Sequence, residues 1–127
     1  MTEIKKTILL RHRDIPDLNR LDVYLKHGGF DTWHKVVTHM QPGQVTEIVK
    51  ASGLRGRGGA GFPTGMKWAF IDNQNWPHYV VANADESEPG TFKDREIMEH
   101  NPFQFLEGLA MCAFAVQAHA AYIYLRG

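Results

Sequence analysis

The stretch Gly53-Leu54-Arg55-Gly56-Arg57-Gly58-Gly59-Ala60-Gly61-Phe62-Pro63-Thr64-Gly65-Met66-Lys67-Trp68-Ala69-Phe70 decides how this sequence is read. It holds half of the chain's 12 glycines, at positions 53, 56, 58, 59, 61 and 65, with Arg55 and Arg57 among them and Lys67 just beyond. Glycine reaches backbone conformations closed to other residues and lets a ligand approach the main chain. Glycines and cations running into a helical segment form a phosphate cradle, since free N–H groups and the dipole of a helix start both favour an anion. Gly56 to Gly61 also fits G-x-G-x-x-G, but that fingerprint needs a strand immediately before it, and Pro42 to Ser52 reads as a helix. No Gly-Lys-Ser/Thr triplet closes a P-loop. A mobile surface loop stays open as the other reading.

Around this stretch the chain is one domain long, at 127 residues, and 43% hydrophobic. Its 14 basic and 14 acidic residues cancel, so no overall field draws nucleic acid or an anionic membrane, and an anion site must be local. One cysteine, Cys112, excludes an internal disulfide and a multi-cysteine metal cluster; its apolar setting predicts an inert core residue. Neither a signal-peptide pattern nor a long apolar run is present, which predicts a cytoplasmic protein without membrane insertion.

Upstream of the loop, residues 1–16 are polar and predict an extended arm. Residues 17–53 predict short helices. The first is capped by Asp17, buries Leu18, Leu21 and Leu25, and ends at Gly28-Gly29. The second runs from about Thr32 to Met40, with Trp33, Val36, Val37 and Met40 inward. The third starts at Pro42, buries Val45, Ile48 and Val49, and stops at Gly53. Residues 54–127 predict an α/β part. A short helix covers Thr64 to Ile71, a turn-rich connector follows, and His78 to Ala82 is a buried-type strand. Thr91 to Asp94 has capping-box form and opens a helix to about His100. Asn101-Pro102 starts an apolar helix over 102–118, and Ala121 to Leu125 is a second strand. Strand, two helices, strand predicts a right-handed parallel crossover. A sheet of two parallel strands has little independent stability, which predicts a truncated piece of a larger domain.

The strand at 78–82 runs into Asn83-Ala84-Asp85-Glu86-Ser87-Glu88-Pro89-Gly90-Thr91. Three carboxylates beyond a strand's C-terminal end stand where open α/β sheets bind ligands; a solvated acidic turn is the other reading. The seven histidines are scattered and show no metal-ligand pattern.

Ser52 to Trp68 and Asn83 to Arg95, with Phe105-Leu106-Glu107-Gly108 and Tyr122 to Gly127, resemble the two flavin-site signatures and adjoining segments of a known family. This is the FMN- and NADH-binding flavoprotein subunit of respiratory NADH:quinone oxidoreductase (complex I). The resemblance covers roughly Leu18 to the C-terminus and extends to subunits of NAD-linked hydrogenases and formate dehydrogenases. It implies the start of a Rossmann-like parallel sheet with crossover helices, behind N-terminal helices and a glycine-rich flavin loop. By the same resemblance FMN is held by Gly56, Arg57, Gly58, Gly59 and Lys67 and lined by Asn83, Asp85 and Glu86. NADH is met by Phe62, Phe70 and Glu88, and hydride passes from NADH to FMN. The implied partners are the other subunits of the electron-input module, peripheral to the inner membrane. The family's ubiquitin-like domain and the cysteines of its 4Fe–4S cluster lie outside this sequence. The chain alone is therefore expected not to oxidise NADH. A non-catalytic binding module that needs a partner chain is the alternative.

Overall fold

The computed structural model describes residues 8–127. Its elements are helices α1 (Leu21–Lys26), α2 (Asp31–His39), α3 (Pro42–Ser52) and α4 (Thr64–Ala69), strand β1 (Tyr79–Ala84), helices α5 (Lys93–His100) and α6 (Pro102–Ala115), and strand β2 (Ala120–Leu125). The fold is α/β: six helices and a parallel pair, with Tyr79 opposite Ala120 and Ala84 opposite Leu125. Both strands are parallel as the order of elements predicts, but β1 starts at Tyr79 rather than His78, and the buried type expected for it is not observed: Tyr79 and Val81 are exposed, as is most of β2, because a pair of strands leaves much of its surface uncovered. No described helix is long and apolar enough to cross a membrane.

The predicted arm falls partly outside the described residues. From residue 8 onward the chain makes successive turns rather than extending. Arg13 pairs with Glu96 of α5 at 2.8 Å, and Leu18 is the most buried apolar side chain, at 2% exposure. Asp17 does not cap a helix. It takes a left-handed turn conformation (φ 59°), and α1 starts only at Leu21 with no side-chain cap. Leu21 and Leu25 are exposed. The inward position on this short helix belongs to Tyr24, which is buried and packs on Phe30 and Phe103 at 5.3 and 5.5 Å. Gly29 makes room for that ring, since a Cβ there would lie 2.1 Å from it.

Helices α2 and α3 follow their apolar spacing more closely. Val36 and Val45 are buried and form a core with Ala115 of α6, flanked by Met40, Trp68, Met111 and Phe114. Val37 and Ile48 are exposed; short helices on one side of α6 have room for a narrower inward stripe than their apolar residues would fill. Helix α3 ends as its sequence predicts, at Gly53 in the left-handed conformation (φ 71°). Helix α6 touches α2, α3, α5 and both strands. It is central but not closed in, with Leu106 exposed and, within the helix, only Glu107 and Ala115 buried.

Glu107 fastens the N-terminal helices to α6. Its carboxylate accepts from Tyr24 Oη at 2.5 Å, from the Phe30 amide at 3.2 Å and from the Trp33 amide at 3.1 Å. The two amides belong to the unsatisfied first turn of α2, so Glu107 caps a helix distant in sequence. Burial and the bond to Glu107 push the Tyr24 hydroxyl far above its ordinary range, which keeps it a donor.

Glu107→Ala leaves these donors buried and unpaired and is expected to lower the unfolding free energy by about 3 kcal/mol. Urea denaturation checks this, and a loss below about 1 kcal/mol would contradict it. Gly65 is the second test. An added Cβ would stand 2.3 Å from the Lys50 backbone nitrogen and 2.4 Å from its Cα, so Gly65→Ala must part α3 from α4, at a cost of about 1–3 kcal/mol in the same denaturation measurement.

Candidate functional site

The glycine stretch is neither a Rossmann turn nor a free loop. Helix α3 precedes it. Its base is stitched by Gly56 N–H to Phe62 O and Thr64 N–H to Leu54 O, both 2.9 Å, around an antiparallel bridge between Arg55 and Pro63. Arg55 also donates to Gly61 O at 3.0 Å. Gly59 and Gly61 have φ of 124° and 62°, conformations that side chains disfavour. A Cβ on Gly58 would meet nothing within 4 Å among the described residues, so nothing there demands a glycine.

The stitched loop forms one wall of a cleft of about 510 Å³, whose lining includes Gly56, Gly58, Phe62, Lys67, Val81 and Cys112. Its opposite wall is β1 and the end of α6. The amides of Arg57 to Gly61 donate no hydrogen bond among the described residues, and the Arg57 and Lys67 side chains make no hydrogen bond or ion pair there. Unpartnered amides and a cation beside an open cleft are the groups that can receive an anion. Arg57 and Gly59 belong to the same loop but do not line the cleft.

Phe62 and Phe70 stand 6.0 Å apart at 55° and are both exposed, Phe70 to 68%. Phe62 lines the cleft, and Phe70 packs against it without lining the cleft itself. Cys112 is a correction of a different kind. It is half-buried but lines the cleft rather than a closed core. Burial pushes its thiol up to about 11, with Lys67 acting in the opposite direction, so the thiol form prevails at neutral pH. The apolar environment was legible from the sequence; the cleft was not, because it forms only when α4 and β1 meet across α6.

The acidic segment lies at the end of β1 and is internally bonded. Asn83 Oδ1 accepts the Asp85 amide at 3.0 Å, and Ser87 Oγ donates to Asp85 Oδ1 at 2.7 Å. Neither Asn83, Asp85, Glu86 nor Glu88 lines the cleft. Glu86 turns toward α5, where it accepts the Asp94 amide at 2.8 Å and the Arg95 amide at 3.4 Å, with Lys93 Nζ at 3.6 Å. The predicted Thr91 capping box is therefore absent. Phe92 precedes the helix with no side-chain cap of its own, and Thr91 Oγ1 donates to Glu88 O instead. The Glu88 side chain is exposed and makes no bond among the described residues.

His78 is a structural residue. It is buried, its ring nitrogens lie 2.7 and 3.1 Å from the Val116 and Asp72 carbonyl oxygens, and Trp76 stacks on it at 4.0 Å. Among the described residues no three His, Cys, Asp or Glu side chains are grouped to hold a metal ion.

Known proteins resemble this chain in sequence and in fold. Residues 49–127 match the model of the Nuo51 FMN-binding domain. The chain is 52% identical over 121 residues to an F-type NADH-quinone oxidoreductase subunit, the second of its kind, of Rhizobium meliloti (strain 1021), covering 94% of this chain and 29% of that protein. It is 46% identical over 125 residues to the F-type NADH-quinone oxidoreductase subunit of Aquifex aeolicus (strain VF5), covering 98% and 29%. Among solved structures, an NAD+-reducing NiFe hydrogenase in the air-oxidized state superposes with a TM-score of 0.70 at 36% identity, covering 94% of this chain and 19% of that one. The chain thus spans under a third of the length of these relatives. It belongs to the Nuo51 FMN-binding domain family, as a homologue of the F-type subunit of NADH-quinone oxidoreductase.

Proposed function

We propose that this chain supplies the phosphate-holding side of an FMN site, and the adjoining NADH-facing edge, in a flavoprotein subunit of NADH:quinone oxidoreductase. The observation that carries the reading is the row of amides from Arg57 to Gly61 that have no partner among the described residues, in a loop whose Gly58, Ala60 and Gly61 line the cleft together with Lys67. Such a donor set fits a phosphate monoester, whose oxygens accept several N–H groups and a cation at once. Space for an absent Cβ at Gly58 fits a ligand lying against the main chain. When bound, FMN supplies the hydride acceptor, and the protein's work is to hold and orient it.

In this reading Gly56, Arg57, Gly58, Gly59 and Lys67 take the phosphate and the chain attached to it. Val81, with Cys112 and Val116 at the end of α6, offers apolar surface on the other side of the cleft. Asn83 and Asp85, at the end of β1, face the flavin ring. The exposed Phe62 and Phe70 offer π faces to the adenine of NADH, and Glu88 meets the nicotinamide end. The parallel pair β1–β2 is then the start of a larger Rossmann-like sheet, and the partners are the other subunits of the electron-input module, on the cytoplasmic side and peripheral to the membrane. The iron–sulfur cluster that takes the electrons onward is held by cysteines other than the one here.

The superposition on the hydrogenase supports a second setting for the same site, a flavin-binding subunit of an NAD+-linked hydrogenase. Its chemistry at this cleft is the same. Identity of the neighbouring subunits separates the two, and affinity purification from the source cell reads it.

The test is Lys67→Ala in the assembled subunit. Removing one charge-assisted hydrogen bond to phosphate is expected to weaken FMN binding by about 1.5–3 kcal/mol, read by flavin fluorescence. Unchanged affinity at low salt would show that Lys67 is not a phosphate ligand.

A further inference from the structure

Glu86 is the one acidic residue of the 83–91 segment whose carboxylate is spent on another element of the fold. Its side chain is only 11% exposed, and both oxygens accept amides from the first turn of α5. Those amides are the donors that a helix start leaves without partners. Lys93 is shared between Glu86, at 3.6 Å, and Asp94, at 2.9 Å.

The post to which Glu86 is tied is itself fixed. Helix α5 is held to the N-terminal turns by Arg13 to Glu96 at 2.8 Å and by Asn19 Nδ2 to Glu99 O at 3.2 Å, and it packs on α6. Between Glu86 and α5 hangs a short turn. Glu88 O accepts the Thr91 amide and the Thr91 hydroxyl, and Gly90 takes a φ of 79°. Glu88 sits in that turn, its carboxylate exposed and without a partner among the described residues. The turn has two anchors, β1 on one side and the Glu86–α5 bonds on the other.

We propose that Glu86 is a positioning residue: its carboxylate fastens the 86–94 turn to the start of α5, so holding the Glu88 side chain where the nucleotide is met, and makes no contact with the flavin. This rests on the functional reading above and refines it, because the family resemblance places Glu86 beside the flavin. The charge state agrees with the geometry. Burial works against ionisation, but the two amides and Lys93 outweigh it and hold the Glu86 carboxyl below its ordinary range. A carboxyl shifted down contributes its bonds at neutral pH and loses them only as pH falls through its own lowered value.

Two measurements test this, both with Glu86→Gln, which keeps the side-chain length and one acceptor oxygen. In the 127-residue chain, amide hydrogen exchange at Asp94 and Arg95 should quicken about tenfold or more in the variant, and in the unaltered chain at the acid end of the pH range, while the α6 amides stay protected. In the complete holoenzyme, Glu86→Gln should raise KM for NADH severalfold at unchanged flavin content, and Glu86→Asp, which keeps the charge, should recover part of the loss. Unchanged exchange at the two amides, an unchanged KM, or loss of bound flavin from Glu86→Gln would each overturn the proposal. A holoenzyme that never binds flavin even when unaltered would instead refute the functional reading, and the exchange result would still decide whether Glu86 holds the turn.

Discussion

A single buried carboxylate sets how the two halves of this chain meet. Glu107 lies inside because three donors from α1, the α1–α2 connection and α2 converge on it, and a charge is tolerated in a protein interior only with such a complement of hydrogen bonds. Its position on α6 ties the N-terminal helices to the same helix that backs the parallel strands. The core of Val36, Val45 and Ala115 then closes across it. With α3 held, Gly65 lets α4 press onto Lys50, and the glycine loop between them is fixed at both ends. The cleft follows from that chain of contacts.

Much of this was legible in the residues. Gly53 marks a helix end because its left-handed conformation is closed to most residues, and the structure uses it so. The strand–helix–helix–strand order gives a parallel pair because a crossover of that length returns the strand in the same direction. Periodicity served less well for α1. Three leucines at helical spacing suggested an inward stripe, yet Leu21 and Leu25 are exposed and Tyr24 is buried. The hydroxyl of Tyr24 has a partner inside and so overrides the hydropathy count, and that partner is far away in sequence. The same cause explains the start of α5. The sequence offers a local cap in Thr91, but Glu86 reaches the helix amides from the preceding strand end. Local patterns predict local caps, and long-range ones appear only in three dimensions.

For the candidate site, the loop was legible and the far wall was not. Glycines with cations among them suggest an anion site from the sequence alone, with a mobile loop as the other reading. That Val81 and Cys112 close the other side depends on where α6 and β1 cross. The acidic segment divides in the structure: Asn83 and Asp85 bond to their neighbours, Glu86 caps α5, and Glu88 alone stands free. A run of carboxylates thus holds residues of different roles, which composition alone does not separate.

The central claim is that the amides of Arg57 to Gly61 and the Lys67 ammonium receive the phosphate of FMN. Amide and side-chain NMR of the 127-residue chain, titrated in parallel with FMN and with riboflavin, tests it most directly, because the two ligands differ only in that phosphate. The account predicts shifts at Arg57 to Gly61 and at Lys67 with FMN that riboflavin does not produce. Equal shifts with both ligands, or FMN shifts confined to residues outside the loop, would contradict it.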